Sequence, residues 1–348
     1  MIFKKINFVK ILEKKYKLSH KFSLAKKKMR KSDQTDKKII GELINNFSYI
    51  IRHQKSYGGE WEYLNKFKRK KYINALKNGL TKDLENIFSN LFRNDASYGI
   101  VTPSFQDVKN KKNFKSQILQ DIDASIEFAN LKYLNQIGID KKVGNPYGLE
   151  IENKIVMPDS PRHFYFAQKI NNIIKNNKRS KFLEIGGGYG GLAKLLFGLN
   201  KKITYLSIDL LEGCIIQYYF LKKSGLKVNL VTKAKDIKKN EINLIIFNKN
   251  FKLLKKIKNC DFVFNSRSFS EMNEHILNKY TYLINNFLKP KYILHENSNF
   301  LLFPKSKRHL EILGKDFNFG RKYHLKQINI SPFSGGSGRY REFFFEKK

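Results

Sequence analysis

Five glycines fall within the six residues from Gly186 to Gly191, directly after the apolar run KFLEI (181–185) and directly before a helical pattern over 189–199. The apolar run predicts a strand, so the glycines form the turn of a strand–turn–helix unit. Glycine suits such a turn because it adopts backbone conformations closed to other residues. It also lets a ligand approach the main chain with no Cβ in the way. The unpaired N–H groups that open the following helix then face that ligand.

The surrounding sequence extends this unit into a sheet. Apolar runs at 203–208, 261–265 and 292–296 predict further strands, with another at 227–232 or 243–248, or at both. Helical patterns at 162–177, 211–224 and 271–288 separate them. Such alternation implies an α/β fold with a parallel sheet covered by helices on both faces. Two last strands, 322–330 and 340–346, are joined by the Gly-rich SPFSGGSG and predict an antiparallel hairpin.

The first half reads differently. From 41 to 135 the pattern is helical, and Leu76, Leu80, Leu84, Ile87, Leu91 and Phe92 trace one apolar face. Gly99–Phe105 reads as a turn or loop, and a helix follows over 114–136. The stretch 143–161 concentrates Gly, Asn, Pro and Asp, which is loop or hairpin chemistry. We therefore expect a basic segment at 1–40, a helical domain at 41–150 and the α/β domain at 151–348. In the first segment Ile2, Ile6, Val9, Leu12 and Tyr16 recur at near-helical spacing among 14 basic and 3 acidic residues. That basic amphipathic helix fits an anionic membrane surface. Packing on the rest of the protein is the preferred expectation.

The formal charge of +38 invites a nucleic-acid reading, yet 57 of the 68 basic residues are Lys and only 11 are Arg. Asn is abundant (35) and Ala scarce (8), so AT-rich codon usage accounts for much of the charge. Phosphate recognition would favour more Arg, whose planar fork binds phosphate bidentately. No run of eighteen apolar residues occurs, which speaks against a membrane-spanning helix. Lysines break up the opening residues, so no signal peptide is expected. Cys214 and Cys260 are the only cysteines and read as buried, inert thiols in a cytoplasmic protein.

Gly186-x-Gly188-x-x-Gly191 meets the dinucleotide fingerprint, so NAD is one candidate ligand. Glu184, two residues before the first glycine, would repel a pyrophosphate but suits the cationic methionine moiety of S-adenosylmethionine. Asp209 ends the next strand, where it can accept hydrogen bonds from ribose hydroxyls. Both acids also have ordinary readings, as a solvated strand end and a helix N-cap. Gly190 completes the turn. A second constellation, FNSRSFSEM (264–272), follows the fourth strand and sets Asn265 and Glu271 at the carboxyl edge of the sheet, where ligands of such folds bind. Ser270 and Glu271 equally read as a helix cap and a first-turn acid.

These segments, in order, resemble the sugar O-methyltransferases of bacterial surface-polysaccharide gene clusters. The likeness rests on GNPYG (144–148) with the following HFYFAQKI, on LEIGGGYGGLA (183–193), and on FNSRSFSEM. It implies a Rossmann-like class I methyltransferase sheet with a C-terminal antiparallel hairpin, preceded by a mainly α-helical N-terminal domain. It also implies S-adenosylmethionine in the glycine turn, at Glu184, Gly186 and Gly188. Gly190, Asp209 and Asn265 complete the expected cofactor set. The expected acceptor is a sugar, nucleotide sugar or glycan. Its weakly acidic hydroxyl calls for a base, with Glu271 ahead of His163 and His295 third. Asp209, Glu271, His295 and Glu296 could supply metal ligands, but their spacing signals no site, and no metal is expected. Ribose methylation of RNA and a degenerate, partner-binding Rossmann domain are the alternatives.

Overall fold

The computed structural model describes residues 29–53, 64–108, 111–126, 134–151, 154–176, 180–258, 260–299, 312–333 and 338–348. The amphipathic stretch expected within residues 1–28 lies outside them. In chain order the helical half comprises α1 (Gln34–Arg52), α2 (Lys70–Lys77), α3 (Thr81–Ser89), α4 (Lys111–Ile126) and the short α5 (Leu134–Ile137). Then come β1 (Ile139–Asp140), β2 (Leu149–Ile151) and β3 (Lys154–Val156), which form a small antiparallel sheet. The second half continues with α6 (Ser160–Ile174), β4 (Ser180–Ile185), α7 (Gly191–Leu199), β5 (Ile203–Asp209) and α8 (Leu211–Lys223). β6 (Val228–Leu230), β7 (Ile242–Ile246), α9 (Phe247–Leu254), β8 (Phe262–Ser266), α10 (Glu274–Leu283) and β9 (Tyr292–Ser298) follow. β10 (Tyr323–Ile330) and β11 (Tyr340–Lys347) complete it.

Eight strands make one sheet in the order β10-β11-β9-β8-β4-β5-β7-β6. All its pairings are parallel except those of β11, which is antiparallel to both β9 and β10. This is a mixed α/β fold with a mainly parallel sheet, closed by the expected hairpin. Both 228–230 and 242–246 are strands. β4 pairs with β5 on one side and with the later β8 on the other, so the direction of winding reverses there. A crevice opens at such a switch point. The register sets Ile185 beside Asn265 and Ser266 beside Glu296 along its rim.

Alternate strand residues feed two cores. Phe182, Tyr205 and Phe264 face the helical half with α6 and α8, while Leu183, Leu206 and Val263 face α10. Helix α8 is buried from Leu211 to Leu221 because it is packed on two sides, by the sheet and by α1. Cys214 and Cys260 are buried free thiols.

Two sequence expectations change in detail, and the hairpin alternative for 143–161 is the one the chain adopts. The apolar face drawn from Leu76 to Phe92 is broken, because Gly79 takes φ +64 and ends α2. Leu80 then precedes α3 and is exposed. The helix expected over 271–288 instead comprises a 3-10 turn, α10 and a π-helical turn at Ile284–Leu288. The loop chemistry of 143–161 contains the β2–β3 hairpin.

Candidate active site

The glycine turn lies at the head of α7 against three elements. Gly186, Gly188 and Gly190 all have positive φ (78°, 58° and 91°), which side chains disfavour. A Cβ on Gly186 would lie 2.3 Å from the Ser268 hydroxyl of the 264–272 segment. Helix α7 has no side-chain cap, so its first N–H groups are left to the turn.

Glu184 is buried beneath the turn, and its Oε2 accepts the Tyr205 hydroxyl at 2.6 Å. Burial pushes its carboxyl up to about 8, despite that hydrogen bond. Asp209 accepts the Gly188 N–H at 3.0 Å, the Leu210 N–H at 2.7 Å and the Gln217 amide at 3.0 Å. Burial raises it to about 7 against those backbone bonds. Asn265 is engaged throughout. Its amide nitrogen donates to the Ile185 carbonyl and to Ser268, and its oxygen accepts from Asn297 and the Phe269 N–H. It therefore fastens the β8 loop to the end of β4.

Of the expected bases, His163 lies directly on the turn. It is in the first turn of α6, and a Cβ on Gly191 would lie 2.3 Å from its Nδ1. Burial, then Arg162 and Arg267, hold its pKa well below the ordinary value, so the ring is neutral at pH 7. Glu271 is exposed at the end of the 3-10 turn Phe269–Glu271. His295 is fully buried among the rings of Phe317, Phe319, Phe343 and Phe345, a core position. Among the described residues no group of three or more His, Cys, Asp or Glu could hold a metal ion.

A polar cluster beside His163 escaped sequence reading. Glu296 is buried at the end of β9, where Ser266 donates to it at 2.7 Å and Ser331 at 2.5 Å. Arg162 and Arg267 approach it at 3.5 and 3.4 Å. Burial pulls its pKa upward, and Arg267 and Arg162 outweigh that, holding it at about 2. Arg162 also pairs with Asp159 at 3.2 Å. Asp121, on α4, is raised to about 7 by burial, although Arg267 opposes the rise. Arg267 itself stands at φ +66, a conformation rare outside glycine. The available signal was rarity: an Arg in a chain this rich in Lys marks a place where a guanidinium is needed.

The helical half roofs this site. The Asp159 carboxylate accepts the Thr102 N–H at 3.1 Å, and Arg69 donates to the Tyr98 carbonyl at 2.8 Å. Between these anchors the Ile100 side chain lies 3.6 Å from where a Gly188 Cβ would be.

No protein-family model matches the chain, and no curated protein matches it. Solved structures with similar folds include the small RNA methyltransferase HEN1, at 13% identity and a TM-score of 0.39. That likeness covers 53% of this chain and 25% of HEN1's. The methyltransferase domain of a bacterial CtHen1 gives 16% identity and a TM-score of 0.37, covering 52% of this chain and 97% of that one. The pyocyanin biosynthetic protein PhzM gives 14% and 0.35, covering 55% and 59%. None of these reaches a TM-score of 0.5, so what the site can do is read from its own residues.

Proposed function

We propose that this protein is an S-adenosylmethionine-dependent O-methyltransferase whose acceptor is a sugar hydroxyl of a cell-surface glycan or its precursor, and that it acts in the cytoplasm. The observation that carries this reading is the juxtaposition at the head of α7. An uncapped helix start and a glycine cradle lie over one buried acid, Glu184, beside a second, Asp209.

These residues fit the cofactor. Glycines at 186, 188 and 190 would receive its methionine part close to the main chain, and Glu184 would meet its positive charge. Asp209 Oδ1 accepts one hydrogen bond among the described residues and keeps capacity for a ribose hydroxyl. Asn265 would hold the wall of the cradle. When bound, S-adenosylmethionine supplies the methyl group: the acceptor oxygen bonds to the methyl carbon as the carbon–sulfur bond breaks, its electron pair staying on sulfur. The chain's own part is to align the acceptor and take its proton. His163 suits that second task, being neutral and seated on the turn, with Glu271 as the alternative base. The neighbouring carboxylates, guanidiniums and hydroxyls offer both donors and acceptors, which suits a polyol. The resemblance in three sequence segments supports the sugar.

The test is calorimetric titration with S-adenosylhomocysteine beside NAD, at physiological salt. Binding of S-adenosylhomocysteine alone, lost in Gly188→Val, is the expected result. NAD binding would make the protein an oxidoreductase, and binding of neither would favour a degenerate, partner-binding domain.

A further inference from the structure

Strands β4 to β10 all run in one direction, because β11 is antiparallel to both β9 and β10. They end on the side of the glycine cradle and begin at the opposite edge, the base of the sheet. The connections that enter at the base are basic one after another. Lys202 stands directly before β5, Lys227 before β6, Lys291 before β9 and Lys322 before β10. Lys239 and Lys258 come shortly ahead of β7 and β8. All six are exposed, and among the described residues none of them pairs with a carboxylate. The acids of this edge are already engaged. Asp261 accepts the Lys181 N–H at 2.7 Å, Glu241 accepts the Asn229 amide at 2.6 Å, and Glu346 pairs with Lys326 at 3.8 Å.

The cradle end differs. Its connections at 186–190, 210 and 267–273 hold one basic residue, Arg267, which lies 3.4 Å from Glu296. Lys233, Lys235 and Lys315, exposed there, have Asp236 and Asp316 beside them in sequence. AT-rich codon usage sets how many lysines the chain carries, but not at which end of the sheet they gather. Helix ends, which favour cations, account for some, since α7, α8 and α9 finish at the base. Arg321, Lys322 and Lys348 adjoin no helix.

Apolar groups stand among these charges. Tyr282, in the last turn of α10, is 52% exposed, and its ring lies 5.8 Å from that of Phe287. Lys255 Nζ sits over the Phe287 ring at 5.4 Å. Leu325, three residues past Lys322, is 45% exposed. The base crosses eight strands, about 34 Å at ordinary strand spacing. Ammonium groups spread over that length match a field of anionic headgroups better than a single phosphate. Lysine as the main cation lacks the fork that reads nucleic-acid phosphates, and Lys mixed with Tyr and Leu suits a bilayer interface.

We propose that the base of the sheet docks on an anionic phospholipid surface, with the glycine cradle turned away from the bilayer. This does not rest on the methyltransfer reading.

The test is flotation of the full chain with phosphatidylcholine vesicles, with and without phosphatidylglycerol, at physiological salt. Binding is expected only where phosphatidylglycerol is present, and it should weaken as salt rises. Lys202→Glu with Lys258→Glu should lower vesicle affinity about tenfold or more. Lys233→Glu with Lys235→Glu makes the same change of charge at the cradle end. Seven-residue β5 sets the two ends about 23 Å apart, beyond a Debye length, so this pair should alter affinity by less than about twofold. Lys202→Gln with Lys258→Gln, which adds no negative charge, should give a smaller loss than the Glu pair. Denaturant melts like the wild type's would show that these surface variants fold. Equal losses from the two ends would make the binding a matter of net charge and overturn the proposal. Unchanged affinity in both base variants, or no binding by the wild type, overturns it too. So does tighter binding to single-stranded RNA than to the vesicles, lost in the same base variants, which would make the surface a nucleic-acid site.

Discussion

Glu184 and Tyr205 meet at 2.6 Å beneath the glycine turn, a carboxyl on β4 held by a phenol on β5. Burial raises Glu184 to about 8, so it is largely protonated at pH 7. A cation bound above it would favour the ionised form. On the proposed reading, S-adenosylmethionine binding therefore releases a proton. Affinity should rise up to tenfold per pH unit from pH 6 and level off above about 8. The measured binding enthalpy should also vary with the ionisation enthalpy of the buffer. Glu184→Gln should weaken both dependences and leave only the part that Asp209, raised to about 7, contributes. Binding independent of pH and buffer in the wild type would remove Glu184 from the cofactor site.

His295 makes a prediction about stability instead. Among the described residues its buried Nε2 has no hydrogen-bond partner inside four phenylalanine rings, and burial holds its pKa down at about 3. The unfolded chain binds a proton there near pH 6.5, whereas the folded chain resists until about pH 3. Stability should thus fall as pH drops through that window, by a total on the order of 5 kcal/mol. His163 adds a loss of the same sign, while Glu296, held at about 2, adds its own only below about pH 4.5. The raised carboxyls Glu184, Asp209 and Asp121 act in the opposite sense between about pH 8 and 4. Between pH 7 and 5, urea melts of His295→Phe should therefore show less loss of stability, or more gain, than the wild type. An unchanged slope would mean the folded state admits the proton at little cost.

The parallel sheet was legible because its strands are buried on both faces and read as continuous apolar runs, as FLEI and FVFN do. The glycine turn announced itself by composition. The polar cluster did not, because its members come from distant segments: Asp121 on α4, Arg162 on α6, Arg267 after β8, Glu296 on β9. No local spacing joins them. His295 and Glu296 are neighbours in sequence, but strand alternation sends one into an aromatic core and the other to the rim of the site. His163 was a candidate base by residue type, but its seat on the glycine turn depends on how α6 packs against Gly191, which no local pattern shows. Leu80 failed for a local reason, since periodicity was carried through a glycine that ends the helix.

Asp36 supports the last prediction, on what joins the helical half to the sheet. It is fully buried in the first turn of α1, where Asp33 and Asp36 form a capping box. Its carboxylate pairs with Lys223 of α8 at 2.9 Å, accepts the Tyr219 hydroxyl at 2.8 Å, and pairs closely with Arg30. Three side-chain donors thus converge on one buried carboxylate, beside the Asp33 N–H of the capping box at 2.9 Å, and tie α1 to α8. Asp36→Asn would remove the charge and leave Lys223, whose side chain is 4% exposed, dependent on Asp33 alone among the described residues. The expected cost is about 3 kcal/mol of unfolding free energy, as when one partner of a buried ion pair is lost. Asp33→Asn is the control: its side chain is 41% exposed and keeps an amide oxygen to cap α1, so about 1 kcal/mol or less is expected. Denaturant melts of the two variants beside the wild type decide it. Equal losses would show that the cap, and not the buried ion pair, holds α1 in place.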